Sequence, residues 1–132
     1  MKGSYIILIK INKDSNITIG KLGNISFEKG FYLYVGSALN GLEQRITRHL
    51  KDNKKLHWHI DYLLKHAKII DIFYKESIIS EECEISEKIN EYFQSIKGFG
   101  CSDCRCKSHL FYGDYTSILN NISRLDMIRY IN

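Results

Sequence analysis

The chain has 132 residues, of which 44% are hydrophobic and 26% charged, a balance that excludes disordered, fibrous and collagen-like chains and suits one compact core. Its apolar run Tyr5 to Ile9 is far too short to span a membrane, and no export signal is visible, so a cytoplasmic protein with no membrane partner is expected. Lysine and arginine number 19 against 15 acids, a formal net charge of +4, which permits a nucleic-acid partner without requiring one.

There is no proline, no linker-like tract and no repeat, so the expectation is one domain over residues 1–132. Ser4 to Ile11 is β-rich and is followed by the turn-forming Asn12 to Asn16. Ile17 to Ile19 and Ile25 to Phe27 flank a glycine-containing turn and predict a hairpin. Lys29-Gly30 then leads into a further strand, Phe31 to Gly36.

From Gly41 to Lys51 the period becomes helical, with Leu42, Ile46 and Leu50 on one face and Arg45 and His49 on a neighbouring one. Trp58 to Lys65 predicts a short helix and Ile69 to Tyr74 a strand. Ser80 is the expected N-cap of a helix reaching about Ile96, with Glu81, Glu82 and Glu84 in the dipole-favoured first turn and Ile85, Ile89, Tyr92, Phe93 and Ile96 as its buried stripe. His109 to Tyr112 predicts a strand, and Thr116 to Tyr130 a terminal amphipathic helix. The elements imply a mixed α/β or α+β sandwich whose N-terminal third is an antiparallel sheet.

Three constellations carry candidate chemistry. The first is an order of motifs: Gly3-Ser4-Tyr5 on the first strand, Tyr34-Val35-Gly36 on the fourth, then Arg45 and His49 on one helix and Glu84 on a later one. This order resembles the GIY-YIG nuclease family, and above all its branch catalogued as domain of unknown function 123, an archaeal and bacterial group sometimes fused to an endonuclease III domain. The stretches GSYIILI, GFYLYVGSALNGLEQRITRHL, HWHIDYLL, ECEISEKI and GFGCSDCRCKSHLFY carry the resemblance over most of the chain.

The resemblance implies an α+β fold: a small GIY-YIG-like domain with a central, mostly antiparallel mixed sheet flanked by helices and an extra hairpin between the two tyrosine motifs. It also implies metal-dependent endonuclease activity on nucleic acid, with DNA as the expected partner in processing or repair and a targeting protein as a further one. Arg45 would hold phosphate oxygens with a charged fork. Glu84 would hold one Mg²⁺ or Mn²⁺. Tyr5 would be the general base, Tyr34 its hydrogen-bonding partner, and His49 would share the proton. The plain alternatives are a solvated basic helix face for Arg45 and His49 and a dipole-stabilising acid for Glu84. Many family members place an asparagine after the glutamate, and neither Asn120 nor Asn121 can be matched to it. Two other readings stay open: a non-catalytic nucleic-acid-binding module on this scaffold, and a zinc-stabilised interaction domain.

The second constellation is Trp58 to Tyr62 with the basic run before it. His59 is a candidate phosphate or metal contact, with Asp61 orienting a basic partner, and Arg48, Lys51, Lys54, Lys55 and His57 can track a phosphate backbone. The third is Cys101 to His109. A chain of this size needs no disulfide staples, and the C-x₂-C step offers zinc the set Cys101, Cys104, Cys106 and His109, with Cys83 as a distant alternative ligand. Zinc, a disulfide and reduced thiols that shape the loop all remain open there.

Overall fold

The computed structural model describes residues 1–101 and 106–130. In chain order its elements are β1 (Gly3–Ile11), β2 (Ser15–Ile19), β3 (Gly23–Phe27), β4 (Gly30–Ala38), α1 (Leu42–Leu50), α2 (His59–Leu64), β5 (Lys68–Glu76), α3 (Glu82–Asn90), β6 (Gln94–Ser95), β7 (Leu110–Gly113), α4 (Tyr115–Ile122) and β8 (Ile128–Arg129). Six strands form one sheet in the order β6-β7-β4-β1-β5-β8, and β2 pairs with β3 in a separate hairpin. Each of these pairings is antiparallel. The architecture is α+β, and the antiparallel pairing decides between the two classes that the strand and helix periods left open.

A period of two organises the centre. Along β1, Tyr5, Ile7, Ile9 and Ile11 pack on one face of the sheet, while Ile6 and Leu8 pack on the other. The first face is covered by the β2–β3 hairpin, α1 and α2 through Ile17, Phe27, Leu42, Ile46, Ile60 and Leu63. The second is covered by α3 and α4 through Ile85, Ile89, Ile118 and Ile122. A strand covered on both faces reads as a continuous apolar run, and each fully buried aliphatic side chain there contributes about 1.5–3 kcal/mol. No helix among the described residues is long and apolar enough to cross a membrane.

Three expectations are corrected. The helix expected from Ser80 to Ile96 runs only from Glu82 to Asn90, and its N-cap is Glu81 rather than Ser80. Gln94 and Ser95 instead pair with Tyr112 and Phe111 as an edge strand. Phe93 packs on one face of the sheet and Ile96 on the other, as a strand requires, and Tyr92 is exposed. The terminal helix stops at Ile122, and Ile128 and Arg129 extend the opposite edge by pairing with β5. In α1 the buried positions are Leu42, Ile46 and His49, whereas Leu50 is exposed. Short edge strands owe their pairing to a neighbour's open hydrogen bonds, which a local apolar pattern does not report.

Candidate active site

The glycines of the two tyrosine motifs have steric reasons. Tyr5 on β1 lies opposite Gly36 on β4, and a β-carbon on Gly36 would sit 2.5 Å from the Tyr5 phenol oxygen. Gly36 thus clears the surface on which the Tyr5 ring rests. Gly3 plays the same part toward β5, since a β-carbon there would meet the Lys75 carbonyl oxygen at 2.0 Å. In both places close approach, rather than an unusual dihedral, demands glycine.

On that cleared surface the Tyr5 Oη lies 2.7 Å from His49 Nε2. Tyr34 completes the aromatic corner, its ring centroid 6.5 Å from Tyr5 and 6.3 Å from His49. Tyr5 is 1% and His49 2% exposed, so both are removed from bulk water. Burial pushes the Tyr5 phenol well above its usual range; Arg45 offsets part of this by charge and hydrogen bonding, and Glu82 and Asp61 add to the rise. Tyr34 is raised in the same way, by burial first and then by Tyr5. With phenol and imidazole both neutral, one proton lies between Tyr5 Oη and His49 Nε2, and the imidazole tautomer sets which of them donates. His49 Nδ1 is buried without a hydrogen-bond partner among the described residues, and an unmet polar atom of this kind costs about 1–3 kcal/mol.

Arg45 and Glu82 meet at Ser37, the residue after Gly36. Arg45 Nη1 donates to the Ser37 carbonyl at 3.0 Å, and Ser37 Oγ donates to Glu82 Oε1 at 3.1 Å. Arg45 also stacks 4.4 Å from the Trp58 ring. The acid brought to the tyrosines is therefore Glu82, whose charge acts on Tyr5, Tyr34 and His109. Glu84 is exposed and lines a separate groove with Lys75, Lys88, Asn121 and Arg124. Helix geometry explains the difference: with Ile85 and Ile89 turned to the sheet, Glu82 and Ser86 lie beside them and Glu84 on the far side. That helical wheel was a legible signal for Glu82, and the position of Ser37 after the Tyr34-Val35-Gly36 motif was one for Ser37.

The protonation balance sets a pH dependence. Burial lowers the His49 pKa from 6.5 to about 3, with Asp61 opposing and Arg45, Arg48 and Lys54 reinforcing. His59 and His109 are lowered too, each chiefly by burial. A histidine with a depressed folded-state pKa binds its proton more readily when unfolded, so stability falls as pH falls through the window from about 6.5 to about 3. Between pH 7 and pH 5 His49 alone should remove about 2 kcal/mol, read as a lower urea midpoint; an unchanged midpoint would contradict the assignment. Tyr5 and Tyr34 carry the opposite sign, with raised pKa values, and their stabilisation is lost as pH rises above about 10.

The second constellation is built around Asp61, which is fully buried. Its oxygens accept from Arg48 at 2.9 and 3.0 Å and from the backbone N–H groups of His57 and Trp58 at 2.8 Å each. Burial alone would raise its pKa, but these donors outweigh burial and hold it below the usual carboxylate range. Arg48, expected to contact nucleic acid, is held by Asp61, by the Lys55 carbonyl and by stacking at 4.3 Å on Trp58. His59 Nδ1 accepts from the Gly100 N–H at 2.8 Å, which ties α2 to the segment before Cys101. Lys51 and Lys55 are exposed, and Lys54 donates to the carbonyls of His49 and Lys51. Lys51, Lys54, Lys65, Lys68 and His49 line a groove of about 500 Å³, with Asp52 as its acid.

Of the expected zinc ligands, Cys104 lies outside the described residues, as does Asp103. Among the described residues the grouping that forms is Cys83, Cys106 and His109, drawn from α3 and from the segment before β7. His109 is buried, and its Nδ1 lies 2.7 Å from Ser86 Oγ.

Searches among curated proteins and among solved structures return no match. One family model does match, described as "Domain of unknown function DUF123", and it covers residues 4–128. That span includes both tyrosine motifs, α1, α3 and the cysteine segment, and the chain belongs to the DUF123 family.

Proposed function

We propose that this protein is a metal-dependent phosphodiester hydrolase of the GIY-YIG type, acting on DNA. The observation that carries the reading is the convergence at the Ser37 end of β4: a Tyr5–His49 hydrogen-bonded pair, an arginine fork and one carboxylate. These are the parts phosphodiester hydrolysis uses, namely a proton acceptor for water, fixed positive charge for phosphate oxygens, and an anchor for a cation.

Glu82 fits a hard divalent cation. It forms no ion pair among the described residues, and its Oε1 accepts from the Ser37 hydroxyl. Mg²⁺ or Mn²⁺ binds through one or two carboxylates with water in the remaining positions. Such an ion, when bound, supplies Lewis-acid charge to the phosphate and the leaving oxygen.

The chain's own residues have separable tasks. Arg45, steadied by Ser37 and Trp58, presents charge that survives at any working pH. Tyr5 Oη shares a 2.7 Å hydrogen bond with His49 Nε2. A free phenol and a free imidazole differ by roughly 3.5 pKa units, and burial widens that gap here. Tyr5 therefore keeps its proton until positive charge gathers beside Oη, a demand that Arg45 meets in part.

The test is cleavage of linear, nicked, flapped and branched DNA in Mg²⁺ or Mn²⁺. Wild type should cut at least one substrate, and an Arg45→Ala variant should lose roughly 10²-fold. Equal rates for the two proteins on every substrate would overturn the reading.

A second reading, binding without cleavage, draws on the burial of Tyr5 and His49, which limits water at the phenol. The lysine groove beside His49 supports DNA binding under either reading. Three phosphate contacts in it would give log K against log salt a slope of roughly −2.7. Binding with that slope and no metal-dependent cleavage would favour the second reading.

A further inference from the structure

We propose that Cys83, Cys106 and His109 form a zinc site that fastens α3 to the segment entering β7. One Sγ from each cysteine and one ring nitrogen of His109 all lie within 4.8 Å of one another. A tetrahedral zinc, with Zn–S near 2.3 Å and Zn–N near 2.0 Å, sets neighbouring ligand atoms roughly 3.5–3.8 Å apart. A contraction of about an ångström would close the set around the ion.

The donor types choose the metal. Thiolates and imidazole suit zinc, whereas Mg²⁺ and Mn²⁺ prefer oxygen. His109 Nδ1 lies 2.7 Å from Ser86 Oγ, and zinc bound through Nε2 would keep that contact. A hydrogen bond on the other ring nitrogen is the usual means of orienting a metal-bound imidazole. Ser86 and Cys83 are three residues apart on α3, so one helix face supplies both a ligand and the orienting group. Water can take the fourth position, as in zinc sites with three protein ligands.

The site has a consequence for the neighbouring chemistry. Glu82 adjoins Cys83 on α3, so a metal gripping Cys83 would hold the helix rotation that turns Glu82 toward Ser37. The zinc site does not depend on nuclease activity and stands if no DNA is cut.

Protein purified under reducing conditions should carry one zinc per chain by elemental analysis. Replacing zinc by Co²⁺ should produce the thiolate charge-transfer and visible bands of tetrahedral cobalt. Chelation should lower Tm by at least about 5 °C. Cys83→Ser and His109→Gln should lose the cobalt spectrum, while Glu82→Gln keeps it, which separates this site from the proposed Mg²⁺ or Mn²⁺ position. Because either variant can fail to fold, wild type also provides a test: zinc should slow alkylation of Cys83 and Cys106. Wild type with substoichiometric zinc and no cobalt bands overturns the proposal. So does a Cys83→Ser variant with the wild-type spectrum, or alkylation of both cysteines at a rate that zinc does not change.

Discussion

Glu82→Gln should reduce divalent-dependent DNA cleavage by roughly 10²- to 10³-fold, while Glu84→Gln leaves it within about twofold, the scale of an exposed-site change. The contrast follows from rotation about one helix. Glu82 Oε1 is 3.1 Å from Ser37 Oγ, and the same serine's carbonyl takes the Arg45 guanidinium at 3.0 Å. Glu84 lies across α3 in a groove with Lys88 and Arg124, apart from Ser37 and the tyrosines. Glutamine keeps the size and an acceptor for Ser37 but removes the charge a cation needs, so folding should survive. Mn²⁺ binding followed by electron paramagnetic resonance gives a readout independent of turnover, and only the Glu82 variant should weaken it. A Glu84 variant that loses as much cleavage as the Glu82 variant would remove Glu82 from the proposed site.

Asp61→Ala should cost about 3 kcal/mol of unfolding free energy, the lower end for breaking a buried ion pair because the Arg48 side chain keeps 27% exposure. The carboxylate serves four donors, two on Arg48 and two backbone N–H groups. Removing it strands the N–H groups of His57 and Trp58 at the start of α2 and leaves Arg48 beside Trp58 without its anion. Asp61→Asn should cost less, since one acceptor oxygen remains. Urea unfolding at pH 7 checks both, and a loss under about 1 kcal/mol for alanine would show that the pair is dispensable. The variant should also loosen Arg45, which shares the Trp58 ring with Arg48, so reduced stability should come with weaker activity.

Arg48 illustrates why a basic run in sequence is a poor map of a binding surface. It stands among Arg45, Lys51, Lys54 and Lys55, and by charge alone all five are equivalent. In the fold Arg48 is held by Asp61 and Lys54 by two backbone carbonyls, while Arg45 is anchored through Nη1 on the Ser37 carbonyl and by stacking on Trp58. The exposed lysines of the groove come partly from elsewhere, with Lys65 and Lys68 joining Lys51. Charge count is local to the sequence, whereas a groove depends on which segments fold side by side.

The cysteines make the same point. C-x₂-C spacing drew attention to ligands within one loop, but the grouping among the described residues reaches back to Cys83 on α3. Zinc sites commonly join separated segments, because four donors close together in sequence are cramped around one tetrahedron. Sequence spacing cannot report a partner contributed by another element.

What the sequence determined by itself was everything governed by short-range geometry. The apolar, β-rich character of β1 and β4, the helical period of α1 and the pairing of tyrosine with glycine in both motifs were legible. Gly36 had to be glycine because Tyr5 lies over it. The tertiary structure alone decided which acid faces the tyrosines, which cysteine meets His109, and that β6 and β8 are strands at all. The rotation of α3 is set by Ile85 and Ile89 docking on the far face of the sheet, and edge strands exist only where a neighbour offers unpaired backbone groups. Both depend on contacts between residues distant in the chain, which local periodicity does not encode.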